Sequence, residues 1–80
     1  MDTKKYLLDA LADHYRGQIS KYRANLTVLL ENNVGLAEHP DIIETLDDQV
    51  GKLAEYDEKL EMLIKHFYVQ RIEVLSSDYR

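Results

Sequence analysis

The chain has 80 residues, of which 45% are apolar and 31% charged, and it contains three glycines, one proline and no cysteine. This composition is typical of one folded, helix-rich domain, and it excludes a disulfide framework, a zinc-thiolate site and a thiol nucleophile. The net charge of −5 disfavours general affinity for nucleic-acid backbones, which requires a surplus of Lys and Arg.

The first predicted element is a helix over residues 3–32. Its apolar positions recur every three or four residues, which keeps them on one face of an α-helix and fits no strand. They are Leu8, Leu11, Tyr15, Ile19, Tyr22, Leu26 and Leu29. Asp2 or Thr3 can cap the start of this helix with a side-chain oxygen. Gly17 lies inside it, and Gly51 inside the next helix, so each marks either the close approach of a partner or a tolerated surface glycine.

A turn is predicted over residues 33–39. Gly35 permits positive φ, while Pro40 disfavours helix at His39 and suits the first turn of a new helix. Because this connection is short, the second helix must fold back along the first. We interpret Gly35 and Pro40 as structural residues. Glu38 and His39 are candidates for contact with a partner, and the alternative is that they only form the turn.

The second predicted helix covers residues 40–75. Its apolar stripe is interrupted once, by Asp57, and Ile42, Tyr56 and Leu63 widen it. The stripe consists of Ile43, Leu46, Val50, Leu53, Leu60, Ile64 and Phe67. Residues 69–75 also show the alternation of a short strand, although we favour helix there.

Folding the chain about residue 36 pairs position i with roughly position 72 minus i. In that register Tyr15 lies opposite Asp57 and can donate a hydrogen bond to its carboxylate. The second helix is longer by roughly 9 Å at about 1.5 Å per residue, so its end overhangs the first helix. Tyr68, Ile72 and Leu75 on this overhang are candidate partner-binding residues.

These features predict an all-α antiparallel two-helix hairpin, with residues 1–80 forming a single domain. One seam between two helices buries little apolar surface, and two hairpins joined as a four-helix bundle bury more. We therefore predict a homodimer. The function expected is a non-enzymatic protein–protein interaction or assembly module, with no cofactor, that contacts a host or viral protein.

Two other functions remain open. Carboxylates on the second helix suit a small metal-dependent hydrolase, unless they form a solvated face supported by the Glu55–Lys59 and Glu61–Lys65 pairs. That series comprises Glu55, Asp57, Glu58 and Glu61. Nucleic-acid binding through the first helix rests on a basic and aromatic group made by Arg16, Lys21 and Arg23 with Tyr15 and Tyr22.

The histidines do not predict a metal site within one protomer. His14 and His66 lie about eight residues apart along the hairpin, or roughly 12 Å, and His39 belongs to the turn. An intersubunit site stays open.

A resemblance to a known family rests on the turn and on the middle of the second helix. The turn sequence is Val34-Gly35-Leu36-Ala37-Glu38-His39-Pro40-Asp41-Ile42-Ile43-Glu44, and the later sequence is Leu53-Ala54-Glu55-Tyr56-Asp57-Glu58-Lys59-Leu60-Glu61-Met62-Leu63. Together they resemble small helical-hairpin proteins of tailed bacteriophages, particularly T4-like phages of marine bacteria, over roughly residues 20–67. The resemblance implies a phage-encoded accessory protein in the cytoplasm of a bacterial host or in the virion, and it implies no catalytic residues. No membrane-spanning run or signal-peptide pattern is recognisable, which fits the same cytoplasmic setting.

Overall fold

The structure is a computed structural model that describes residues 2–31 and 41–68. Helix α1 spans Thr3–Glu31, helix α2 spans Ile42–Leu63, and one π-helical turn, Ile64–Tyr68, continues α2. The two helices pack against each other, so the prediction of an all-helical chain with two packed helices is confirmed. Several residues predicted to be functional or structural lie outside the described residues, namely Gly35, Glu38, His39, Pro40, Ile72 and Leu75.

The two helices begin differently. At the start of α1, the backbone N–H of Lys5 donates to Asp2 Oδ1 at 3.3 Å, so Asp2 rather than Thr3 is the capping residue. Asp41 precedes α2, but its carboxylate accepts no capping hydrogen bond, and only its carbonyl oxygen receives the N–H of Thr45, at 3.1 Å. Among the described residues the second helix begins at Ile42, and the predicted first residue, Pro40, lies outside them.

The seam between the helices consists of two rows in which steps of four and three residues alternate. This average of 3.5 residues keeps a row facing a neighbouring helix over many turns. Every member is buried or half-buried. The α1 row is Leu8, Ala12, Tyr15, Ile19, Tyr22, Leu26 and Leu29, and the α2 row is Ile42, Leu46, Gln49, Leu53, Tyr56, Leu60 and Leu63.

The structure corrects the predicted apolar stripes at several positions. On α1 the buried residue is Ala12, with 1% of its surface exposed, whereas Leu11 is exposed. On α2 the predicted stripe members Ile43 and Val50 are 74% and 51% exposed. The reason is that α2 carries apolar residues in two adjoining rows, and helical periodicity alone does not say which of them faces α1.

The register also differs from the predicted one. Side-chain contacts join residue 25 with 49, 22 with 56, 15 with 56, 14 with 56 and 9 with 68. Their position numbers sum to values between 70 and 78, centred near 74 rather than 72. The expected hydrogen bond from Tyr15 to Asp57 is not formed, because Asp57 is exposed and its neighbour Tyr56 occupies the seam.

Gly17 and Gly51 lie in open surroundings. A Cβ atom added at either position would meet no atom of residues 2–31 and 41–68 within 4 Å, so no close approach among these residues requires the glycines. Within residues 2–31 and 41–68, neither helix combines the length and the apolar character needed to cross a lipid bilayer.

Candidate interaction surface

Two edges of the hairpin flank the seam, and they differ in chemistry. We call one of them the arginine edge, and it consists of the residues that directly follow every second seam residue. Its members are Asp9, Arg16, Arg23 and Leu30 on α1 and Ile43, Val50, Asp57 and Ile64 on α2. We call the other the lysine edge, and it consists of the residues that directly precede the remaining seam residues. Its members are Leu11, Gln18 and Asn25 on α1 and Thr45, Lys52 and Lys59 on α2. Four of eight residues on the arginine edge are apolar, against one of six on the lysine edge.

Each edge includes a residue of α1 that contacts the second helix or its extension. Asp9 of the arginine edge accepts, at Oδ1, a hydrogen bond of 2.7 Å from Tyr68 Oη. Asn25 of the lysine edge donates through Nδ2 to Oε1 of the seam residue Gln49 at 3.2 Å. Tyr68 was predicted to overhang the first helix without an intramolecular partner, and this bond shows that the prediction was wrong. Tyr68 is the last residue of the π-helical turn, and the wider winding of such a turn changes the direction in which its side chains point.

Asp9 is the centre of a small charged group at the end of the hairpin where α1 begins and the π-helical turn ends. Its second carboxylate oxygen accepts a hydrogen bond of 2.6 Å from Lys5 Nζ. This bond, followed by the bond from Tyr68, lowers the pKa of Asp9, and the same ion pair raises the pKa of Lys5. The hydrogen bond to Asp9, together with partial desolvation, raises the pKa of Tyr68 to about 12. The phenol therefore acts as a neutral donor to an ionised carboxylate.

An aromatic cluster occupies the middle of the seam. The rings of Tyr22 and Tyr56 are nearly parallel, with centroids 6.1 Å apart, and Tyr15 lies 6.1 Å from Tyr56 at an angle of 46°. The ring of His14 meets Tyr56 edge-on at 6.1 Å. Such pairs stabilise by about 0.5–1.5 kcal/mol beyond the area they bury. Tyr15 and Tyr22 pack within the seam, so their rings contact the facing helix and are not free to stack on nucleic-acid bases.

The lysine side of the same cluster is closed by cations. Lys59 Nζ lies 4.9 Å from the centroid of the Tyr56 ring, and Lys21 Nζ lies 5.1 Å from that of Tyr22. Lys59 also donates to Glu55 Oε2 at 2.9 Å, so the predicted pair between these two residues is present. Hydrogen bonding to Lys59 lowers the pKa of Glu55, and the same bond raises the pKa of Lys59. Glu55 is thus engaged in an ordinary helix-supporting ion pair.

A shallow groove of about 300 Å³ lies on the lysine side, next to the Asp9 end of the hairpin. Its floor is apolar and its rim is charged. The lining residues are Tyr15, Glu58, Lys59, Met62, Leu63, His66 and Phe67. His66 and Glu58 both line the groove, eight positions apart in the sequence. In the part of the chain that the structure describes, no group of three or more His, Asp or Glu residues could hold a metal ion.

Sequence reasoning missed two residues that contact the facing helix or its extension. Asp9 has an i,i+4 partner in Lys5, but its hydrogen bond with Tyr68 joins positions far apart in the sequence. Gln49 follows Asp47 and Asp48 in a polar stretch, although it is the polar member of the α2 seam row. A strict heptad count over both helices would have found Gln49, whereas nothing in the sequence predicts the π-helical turn that positions Tyr68.

Comparison of the chain with protein-family models, with curated proteins and with solved structures gave no match.

Proposed function

We propose that this chain is a non-enzymatic interaction module that self-associates into a homodimeric four-helix bundle and in that form contacts a further protein. One observation supports the proposal above all. Among the described residues only Ala12 and Leu63 are buried, at 1% and 7% exposure, while ten large apolar side chains are exposed. Burial of apolar surface is the main favourable term in folding, so the two-helix seam leaves much of that term unused. A second copy would bury more of this apolar surface.

The size of the chain supports the same proposal. Domains near 80 residues rarely obtain enough stability from one core, and many add disulfides, metals or further subunits. This chain has no cysteine, so a disulfide cannot contribute. Self-association remains as a direct route by which its apolar residues can be covered.

The pattern of α2 is also that of a helix with two neighbours. Its seam row adjoins the apolar residues Ile43, Val50 and Ile64 of the arginine edge. Helices of bundles typically carry apolar residues at three of every seven positions, whereas a helix that packs against one partner needs only two. α2 has this wider pattern, and α1 contributes one apolar residue, Leu30, to the same edge, so most of the apolar part of a second contact comes from α2.

Sedimentation equilibrium of the purified chain at micromolar concentration tests the proposal. The expected mass is twice the 9.4 kDa of one chain. A helical species that keeps a mass of 9.4 kDa at these concentrations would contradict it.

The setting of the module, in this proposal, is the cytoplasm of a bacterium that carries a tailed phage. The resemblance of the turn and of the middle of α2 to phage hairpin proteins supports this setting. Affinity capture from phage-infected cells, compared with uninfected cells, tests it. Recovery of the same partners from both would argue against a phage-specific role.

A further inference from the structure

We infer that the second copy docks on the arginine edge, with α1 of one copy lying antiparallel beside α2 of the other and the C-terminal ends of both α1 helices at the same end of the bundle. This inference rests on the proposed function and adds to it a face, an orientation and a pair of charged residues. The lysine edge stays in solvent in this arrangement.

The distribution of apolar side chains selects the edge. Ile43 and Val50 are 74% and 51% exposed, and Leu30 on α1 is also exposed. Together with the half-buried Ile64 they make half of the arginine edge apolar, whereas Leu11 is the one apolar member of the lysine edge. Of the ten exposed large apolar side chains, three lie on the arginine edge and one on the lysine edge, and exposed apolar rows promote association.

The charges of the two helices favour pairing of α1 in one copy with α2 in the other. Helix α1 carries five basic and three acidic side chains, and α2 carries two basic and seven acidic ones. Pairing α2 with α2 would bring two acidic helices together, and pairing α1 with α2 brings opposite charges together. The arginine edge of α1 has Arg16 and Arg23 at its centre, and the same edge of α2 has Asp57, so the match extends to individual residues.

These charges are available for a partner. Arg16 pairs with its own neighbour Asp13, at 3.3 Å and with both side chains largely in solvent. Asp57 forms no ion pair within 4.0 Å with any described residue, and neither does Arg23. With α1 antiparallel to α2 of the second copy and in the same register as within one chain, Arg16 lies beside Asp57 of the second copy. Leu30 then lies beside Ile43 of the second copy, and Val50 beside the apolar stem of Arg23.

Charge reversal in two separate chains tests this pairing. Arg16→Asp and Asp57→Arg each place two like-charge contacts in their own homodimer, and we expect each variant to self-associate roughly tenfold more weakly than the unmodified chain. An equimolar mixture forms heterodimers in which both contacts are again between opposite charges. Each variant keeps its internal charges unchanged on mixing, so recovery of the dimer in the mixture reports only on contacts between copies. Native mass spectrometry of the mixture measures the heterodimer directly.

Lys52→Glu on the lysine edge is the matched control, and it should leave self-association unchanged. If the unmodified chain is dimeric but both arginine-edge variants dimerise as well as it does, the inference is overturned and the proposed function stands. Weak variants that fail to recover on mixing overturn the pairing of Arg16 with Asp57. A monomeric unmodified chain refutes the proposed function, and the inference falls with it.

Cross-linking decides the matter if a charge variant does not fold. Because the chain has no cysteine, any disulfide arises from introduced residues. A mixture of Leu30→Cys and Ile43→Cys should form a disulfide between copies under mild oxidation, since such bonds need Cα atoms within about 7 Å. A mixture of Asn25→Cys and Lys52→Cys, on the lysine edge, should not. The reverse result would place the second copy on the lysine edge and overturn the inference.

Discussion

The hydroxyl of Tyr68 and the carboxylate of Asp9 are joined by a hydrogen bond of 2.7 Å although 59 positions separate them along the chain. The bond fastens the π-helical turn at the end of α2 to the beginning of α1. We expect Tyr68→Phe to release this turn while the seam remains intact. Amide hydrogen exchange should then rise over residues 64–68 and stay unchanged near Leu53. Tyr6→Phe, at an exposed position of α1, is the matched control, and an equal rise there would contradict the assignment.

The same bond makes a prediction about titration. Since the pKa of Tyr68 is raised to about 12, the bond stabilises the fold fully below the unfolded value near 10.0 and is lost as the pH rises through about 12. Asp9 has a lowered pKa, so its contribution is present above its ordinary value of 3.8 and is lost as the pH falls below it. Absorbance of ionised tyrosine should show a late step near pH 12 that Asp9→Asn moves to lower pH. A late step that is unchanged in Asp9→Asn would refute the coupling.

Ala12 tests whether the seam is placed correctly. Its side chain is almost fully buried against α2, so Ala12→Leu forces extra volume into a packed contact and should lower the free energy of unfolding by about 1–3 kcal/mol. Ala10→Leu introduces the same side chain on the exposed face of the same helix and should change it by less than about 0.5 kcal/mol. Urea denaturation of both variants provides the comparison. Equal effects would mean that Ala12 does not face α2.

Gln49 is a polar residue in an otherwise apolar row. Its amide oxygen accepts a hydrogen bond from Asn25, and both side chains remain near solvent. We expect Gln49→Leu to raise the free energy of unfolding by about 1 kcal/mol, because Leu at this position adds apolar burial and removes a half-buried amide. Asn25→Ala, which removes only the donor, should have a small effect. A loss of stability in Gln49→Leu would show that the amide pair matters more than packing, as polar residues that define a register do.

Much of the fold follows from the sequence, and particular residues show where the prediction stops. Spacing of apolar residues identified two helices, and Tyr15, Ile19, Tyr22, Leu26 and Leu29 were placed correctly because only one row of α1 is apolar along that stretch. On α2, Leu46, Leu53 and Leu60 were placed correctly. The residues between them were misplaced by one position, since Ile42 and Ile43, or Gln49 and Val50, satisfy the helical period equally well. Only packing against the facing helix distinguishes the two rows. For the same reason Asp57 was predicted in the seam and lies on the arginine edge.

The candidate surface was predicted less well than the fold, for a physical reason. The role of its residues depends on their contacts across the seam, as that of Asp9 depends on its hydrogen bond with Tyr68. An error of one position in assigning a seam residue exchanges a core residue for a surface residue. Ile43 and Val50 were predicted to be core residues and are exposed. Their exposure makes the arginine edge the candidate contact surface.

The dependence of thermal unfolding on protein concentration tests the central claim most directly. If a second copy completes the core, unfolding is coupled to dissociation, and Tm must rise as the concentration increases. We predict a clear and continuous rise of Tm over roughly a hundredfold range of concentration, measured by circular dichroism with helicity as the signal. A cooperative transition whose Tm is the same at every concentration would contradict the claim, since it would show that a single hairpin is stable without a second copy.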